Sequence, residues 1–214
     1  MKMSKSVLSA LLYVGLFAAF VSCKKSDPAP ALTATTFKNL AADPPSGGYN
    51  PTNGQPIGVT KKFTFFSFKT GDVVANADSA SAKWDIGFNG TTIIVNSGTS
   101  GPGTGSAVVM TGIFDEILNA PDNGYLQDNK NSTTAPYAIT KGSGKGWYNY
   151  DQATNIISPI AGRVLVFQTA DGKYAKMEIL SYYLDAPAAP TSSTKDRYYT
   201  FRYIYQPDGS KKLQ

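Results

Sequence analysis

The stretch RVLVFQTADGKYAKMEIL, residues 163–180, constrains the fold more than any other part of the chain. Two β-branched and aromatic runs flank Asp171-Gly172, a pair that closes tight turns because glycine accepts the left-handed backbone they need. The spacing predicts an antiparallel hairpin. A second hairpin is expected between KMEILSYYL and YYTFRYIYQ, joined by the longer loop DAPAAPTSSTKD. No stretch shows a sustained 3.6-residue apolar period, and no internal repeat is visible. The 20 Gly, 13 Pro and 13 Tyr favour strands and turns over helices. With 42% hydrophobic and 16% charged residues, the 214-residue chain has material for one buried domain, or a domain plus a tail. The expected class is all-β.

The first half reads the same way. Thr35 to Leu40 is a candidate strand, and residues 42–58 are too rich in Pro and Gly for anything but an ordered loop or a mobile spacer. KKFTFFSFKTG turns strongly β, with Phe63 and Phe65 on one face, and a bulge is expected near Phe65 to place Phe66 and Phe68. Asp72 to Lys83 reads as a polar connection. In KWDIGF, Trp84, Ile86 and Phe88 alternate with Asp85 and Gly87, the pattern of a half-buried strand. Asn89-Gly90 signals a tight turn back into TTIIVN. SAVVMTG predicts another strand, FDEIL one helical turn, and Asn119 to Pro136 a loop. GWYNYD resumes the β pattern.

The N-terminus carries targeting information. Lys2 and Lys5 precede an apolar run, Val7 to Val21, of secretory length and too short for a comfortable membrane span. It ends in FVSC, where Cys23 is the single cysteine of the chain. This is the pattern of a bacterial lipoprotein signal cut before Cys23, with lipid added there. The expected organisation is a signal peptide over 1–22, a lipidated Cys23 and Pro/Ala-rich tether over 23–34, and a β domain over 35–214. Loss of residues 1–22 removes two lysines and no acids, so the formal charge falls from +5 to +3. That is too mild a charge to point to nucleic acid. Without further thiols, intramolecular disulfides and Cys-based metal sites are excluded.

The residue inventory closes other routes. There is no histidine, so imidazole triads and His-based zinc sites cannot form. Glu116 and Glu178 are the only glutamates. Ser192 and Lys195 match an S-x-x-K, and Lys69-Thr70-Gly71 a K-T-G. Their order is reversed relative to the penicillin-interacting enzymes, and SSTK lies in a Pro-rich loop, so a plain loop is expected. The glycine run SGTSGPGTGSA lacks a GK[ST] ending and precedes a strand, which leaves no helix N-terminus to hold phosphate. It reads as a crossover or a pocket rim. Asp122-Asn123-Gly124 and Asp128 to Asn131 lack the closing Glu of a calcium loop.

Five ordered blocks carry a family resemblance: FFSFKTGDVV, KWDIGF, IIVNSGTSGPGTGSAVV, GWYNYDQATNIISPIAGRVLVFQTADGKYAKMEILSYY and YYTFRYIYQPDG. Together, over roughly residues 60–210, the chain resembles the HmuY family of haem-binding bacterial lipoproteins. The resemblance implies a two-sheet antiparallel domain with long hairpin loops, following the signal peptide and tether, with haem held between the loops. It implies a lipid anchor in the outer membrane, haem or a related tetrapyrrole as ligand, and an outer-membrane haem receptor as partner. The family's best-known members coordinate iron through paired histidines and others through methionine. Here the mature chain has only Met110 and Met177, and strand position favours core packing for both. The regions resembling the ligand-bearing ones, YNYDQATNIISP and the loop after SYYL, offer Tyr148, Tyr150, Asn155, Tyr182 and Tyr183. A tyrosinate could hold ferric iron if a neighbour lowered its pKa. A strand tyrosine is otherwise an amphipathic wall. Arg163, Lys195 and Arg197 are candidates to meet propionates. Two non-catalytic readings stand: a haem binder with Met or Tyr coordination or none, and a module on the same scaffold that lost haem coordination and binds another tetrapyrrole, a glycan or a protein. Nothing in the inventory equips an enzyme.

Overall fold

Continuous and alternating apolar runs sort into strands that a sheet buries on two faces or one. In this computed structural model, which describes residues 31–133 and 136–214, the strands run in the following order. They are β1 (Thr35–Ala41), β2 (Thr64–Ser67), β3 (Asp72–Val74), β4 (Ile86–Asn89), β5 (Thr92–Val95) and β6 (Ser106–Thr111). β7 (Tyr148–Asp151), β8 (Ile156–Pro159), β9 (Arg163–Gln168), β10 (Tyr174–Tyr183) and β11 (Asp196–Gln206) follow. They pair as a five-stranded sheet, β1-β11-β10-β9-β6, a four-stranded sheet, β3-β2-β4-β5, and the separate hairpin β7-β8. Every pairing is antiparallel. The protein is therefore all-β, with two main sheets as expected. The expected signal peptide, Cys23 and most of the tether lie outside the described residues.

The core forms where the two main sheets face each other. Phe66, Phe68, Ile86 and Phe88 of one meet Leu165, Phe167, Met177, Tyr199 and Phe201 of the other. The rings interlock edge to face: Phe66 lies 5.2 Å from Phe201 at an interplanar angle of 90°, and 5.1 Å from Phe37 at 73°. Such contacts add about 0.5–1.5 kcal/mol each beyond the area they bury. The opposite face of the five-stranded sheet is buried too. Val164, Val166 and Ile204 pack under Phe114, Ile117 and Leu213, which explains why VLVF in β9 is apolar without alternation. That cover is pinned by buried Lys176, whose Nζ donates to the carbonyls of Phe114 (2.7 Å) and Ile117 (2.9 Å). The 3-10 turn Phe114–Glu116 is the helical turn expected from FDEIL.

Three details depart from the sequence reading. No bulge interrupts β2, which pairs regularly from Thr64↔Phe88 to Phe66↔Ile86. Its phenylalanines are all accommodated because both sheet faces are covered: Phe66 in the main core, Phe65 against Trp84 and Ile94 on the outside. Trp84 precedes β4 and belongs to that outer cluster. The short strand β3 forms where a polar connection was expected, and β8 forms where no strand was expected, because partner strands supply ladder bonds that local propensity does not signal.

The glycine stretch is a crossover from β5 of one sheet to β6 of the other. It winds around fully buried Asn96. Asn96 Nδ2 donates to the carbonyls of Ser81 (2.9 Å) and Trp84 (2.7 Å), and its Oδ1 accepts from Gly103 N–H at 2.9 Å. A methyl group on Gly101 would stand 2.6 Å from Trp84 Cζ2, and one on Gly103 2.7 Å from the Asn96 carbonyl oxygen. The glycines allow this close approach, and the Gly103 and Gly105 amides are already committed to Asn96. No phosphate cradle is formed there. A second tie between the sheets is Asp85, whose carboxylate accepts from Phe68 N–H (2.7 Å) and Ala170 N–H (2.9 Å). Burial pushes its pKa up from 3.8 to about 6.

Replacing Gly101 by alanine should lower the unfolding free energy by about 1–3 kcal/mol in a urea titration; an unchanged midpoint would show slack in the crossover. Asp85→Asn turns an amide donor toward a backbone donor, at a cost of about 1–3 kcal/mol. Because the folded pKa of Asp85 is raised, its contribution is full below pH 3.8 and is lost as pH rises through about 6. The asparagine variant should lack that slope in stability against pH.

Candidate functional site

At one end of the sheets the chain encloses a cavity of about 530 Å³, within the range of small-molecule sites. Four segments build it: the β7-β8 hairpin, the ends of β10 and β11, the loop joining them, and a small hairpin within residues 42–58. The last is the Pro/Gly-rich stretch, and it is an ordered loop. Gly47 N–H and Ile57 N–H donate to Ile57 and Gly48 carbonyls, and Tyr49 bridges Pro56. Asp43 holds its base, accepting from the amides of Thr60 and Lys61 at 2.7 Å each.

The cavity rests on an aromatic stack. Buried Tyr182 lies 5.6 Å from Trp147 and 5.2 Å from Tyr199. Trp147 Nε1 donates to the Thr91 carbonyl at 3.0 Å, and Tyr199 hydroxyl to the Gly90 carbonyl at 2.8 Å. The floor is thereby tied to the β4-β5 turn of the four-stranded sheet.

Each wall tyrosine has a defined partner. Tyr150 donates its hydroxyl to Asn155 Oδ1 at 2.7 Å, while Asn155 takes the left-handed backbone (φ 57°) that closes the β7-β8 turn. Tyr183 hydroxyl accepts from Ile157 N–H at 2.9 Å, fastening β8 to β10. Tyr49 donates to Asp196 Oδ2 at 2.6 Å, across 147 positions of sequence. Burial raises the phenol pKa of Tyr49, Tyr182 and Tyr183, and acceptance by Asp196 raises Tyr49 further. These hydroxyls hold their protons through the neutral range.

Arg197 stands beside them under unusual backbone control. Between Ser181↔Thr200 and Tyr183↔Asp196 the register of β10 and β11 shifts, leaving extra residues on β11 around Arg197. Arg197 has φ 61°, its carbonyl accepts from Ala42 N–H, and its Nη1 donates to the Asp43 carbonyl at 3.1 Å. A bulge of this kind re-aims a side chain. Here it brings the guanidinium to the cavity.

Of the residues singled out from sequence, Tyr150, Asn155, Tyr182 and Tyr183 line this one cavity together with Arg197. Tyr148 packs half-buried against Trp147, behind the lining. The methionines stand elsewhere. Met177 is fully buried in the core, between Leu165 and Tyr203 of the neighbouring strands. Met110 sits on β6 opposite Val164, against the cluster on the far sheet face. Neither thioether lines the cavity. Arg163 begins β9 beside Thr111, and Lys195 lines an adjoining cavity of about 410 Å³. Sequence reasoning missed Tyr49, Thr91 and Asp196. The one available signal was an aromatic side chain, Tyr49, set in an otherwise polar Pro/Gly loop.

A family model described as HmuY protein matches residues 59–203. No curated protein matches the chain. Among solved structures, one named as HmuY-like and heme binding, from Bacteroides vulgatus, is 19% identical, with a TM-score of 0.48 over 80% of this chain and 91% of that one. An apo HmuY analogue from Tannerella forsythia is 15% identical at a TM-score of 0.48, covering 82% and 96%. One described as a lipoprotein, from Bacteroides fragilis, is 16% identical at 0.43, covering 68% and 86%. At those scores the likeness is loose, and the family match is the firmer finding.

Proposed function

The chain belongs to the HmuY family, and from that premise we propose that it is a non-catalytic, lipid-anchored envelope protein that captures haem in the cavity beneath the β7-β8 hairpin. The observation that carries this reading is the cavity itself: a floor of stacked rings tied to both sheets, tyrosine walls and one guanidinium, enclosed by the loops that join the strands. A porphyrin presents a broad apolar face and an acidic edge. The exposed ring of Tyr150 and half-buried Ile157 offer apolar area to the face, where burial contributes about 25 cal/mol per Å², and Arg197 offers a bidentate fork to a carboxylate.

The macrocycle and its acids fit these residues; an axial donor for its iron does not. The chain has no histidine, both candidate thioethers lie off the cavity, and burial keeps the phenols of Tyr49, Tyr182 and Tyr183 protonated. The family supports a binding role. The second reading, a glycan or protein ligand on the same scaffold, is favoured by one feature: Asn155, Thr191, Ser192 and Asp196 interleave polar groups with the tyrosines. Anchoring through Cys23 in the outer membrane and hand-over to a haem receptor complete the proposal. Among the described residues no helix is long and apolar enough to cross a membrane.

Adding ferric haem to the purified protein should give a saturable Soret shift with quenching of tryptophan fluorescence. Tyr150→Ala, at an exposed wall position, should weaken binding by about 0.5–1.5 kcal/mol. A flat titration, or saturable binding of oligosaccharides instead, would favour the second reading. Cys23→Ala should move the protein from the membrane to the soluble fraction; full retention on membranes would contradict the lipid anchor.

A further inference from the structure

We infer that this site selects its ligand by the acid edge of a tetrapyrrole, read by Arg197, and not by the metal at its centre, so that metal-free protoporphyrin is as good a ligand as haem. The inference rests on the haem-site reading above and refines what that site recognises.

The donors that face the cavity are already partnered. The hydroxyls of Tyr49, Tyr150 and Tyr183 are each engaged, by Asp196, Asn155 and the Ile157 amide. Tyr182 is shut among Trp147, Tyr183 and Tyr199. Taking Tyr49 or Tyr150 as an axial ligand would break a short hydrogen bond that its hydroxyl donates, and taking Tyr182 would open the aromatic floor; Tyr183, whose oxygen accepts from Ile157, would have to give up a proton that burial holds.

Arg197 presents the opposite situation. It is the only cationic side chain among the described residues that line the cavity. One of its donors is held by the Asp43 carbonyl at 3.1 Å, which fixes the guanidinium while leaving donors of its five free for a second partner. The bulge around it, with φ of 61° at Arg197, marks a side chain placed at some backbone cost. Local strain of that kind persists where the surroundings enforce it and clusters at ligand clamps. Asp196, the acid beside it, is occupied by the Tyr49 hydroxyl at 2.6 Å. That bond uses one carboxylate oxygen, and Arg197 also reaches the Tyr49 side chain; with the Asp43 carbonyl and Tyr49 as its protein partners, the guanidinium keeps donors for a ligand carboxylate.

The test compares three probes on the purified full-length protein by tryptophan quenching: ferric haem, metal-free protoporphyrin, and protoporphyrin dimethyl ester, whose acids are blocked. Haem and the free porphyrin should bind within about threefold of each other, and the ester about tenfold or more weaker, the worth of a charge-assisted pair. Arg197→Gln should weaken the two acids by a similar factor while leaving the ester unchanged, so that the three converge. Met110→Leu and Tyr49→Phe should leave the ratio of haem to free porphyrin unaltered. Haem binding tenfold tighter than the free porphyrin, or an ester that binds as well as the acid, would overturn the inference. If all three probes fail to bind, the haem-site reading itself falls. Arg197→Gln is checked for folding by its urea midpoint; Arg197→Lys, which keeps the charge and loses the fork, should fall between the wild type and the glutamine variant.

Discussion

The structure depends first on rings meeting rings between two sheets. Phe66 and Phe88 from the four-stranded sheet enclose Phe201 of the five-stranded one, at centroid distances of 5.2 and 5.8 Å. Burying side chains of this size contributes about 1.5–3 kcal/mol apiece. The contact also fixes the separation and angle of the sheets. From there the aromatic chain continues outward. Tyr199 lies 4.8 Å from Phe88 and 5.1 Å from Trp147, and Trp147 in turn supports Tyr182. The floor of the cavity is thus the outermost layer of the same core and inherits its rigidity.

That continuity explains why the site can be made of loops and still be shaped. The β7-β8 hairpin is fastened through Tyr183, the hairpin at Tyr49 through Asp43 and Asp196, and the 184–195 loop through Asn39, whose side chain bonds Asp185 from both its amide and carbonyl ends. Each wall is held by long-range hydrogen bonds to a strand end. A cavity assembled this way can receive a flat ligand without first paying to order its loops.

Much of the fold was legible because its signals are local. Asp171-Gly172 and Asn89-Gly90 mark turns that form close to where they were expected, with Gly172 and Gly90 at positive φ. What misled was the assumption that a strand has one buried face. β2 buries both, so its phenylalanines need no bulge, and β3 and β8 exist because a neighbour pairs with them. The site was half visible. Tyr150, Asn155, Tyr182 and Tyr183 lie in segments of the family resemblance, whereas Tyr49 and Asp196 meet across most of the chain, and no local pattern announces such a pair. Met110 and Met177 were drawn in by chemistry alone; Met177 is buried in the core and Met110 packs partly buried on the far face of the five-stranded sheet, so neither lines the cavity.

The measurement that most directly addresses the central claim is a map of backbone amide chemical shifts on adding metal-free protoporphyrin to labelled protein. The account predicts changes concentrated at Tyr49, Thr91, Tyr150, Asn155, Tyr183 and Arg197. Changes centred instead on Met110 and the 113–120 cover, on the far side of the five-stranded sheet, would contradict it.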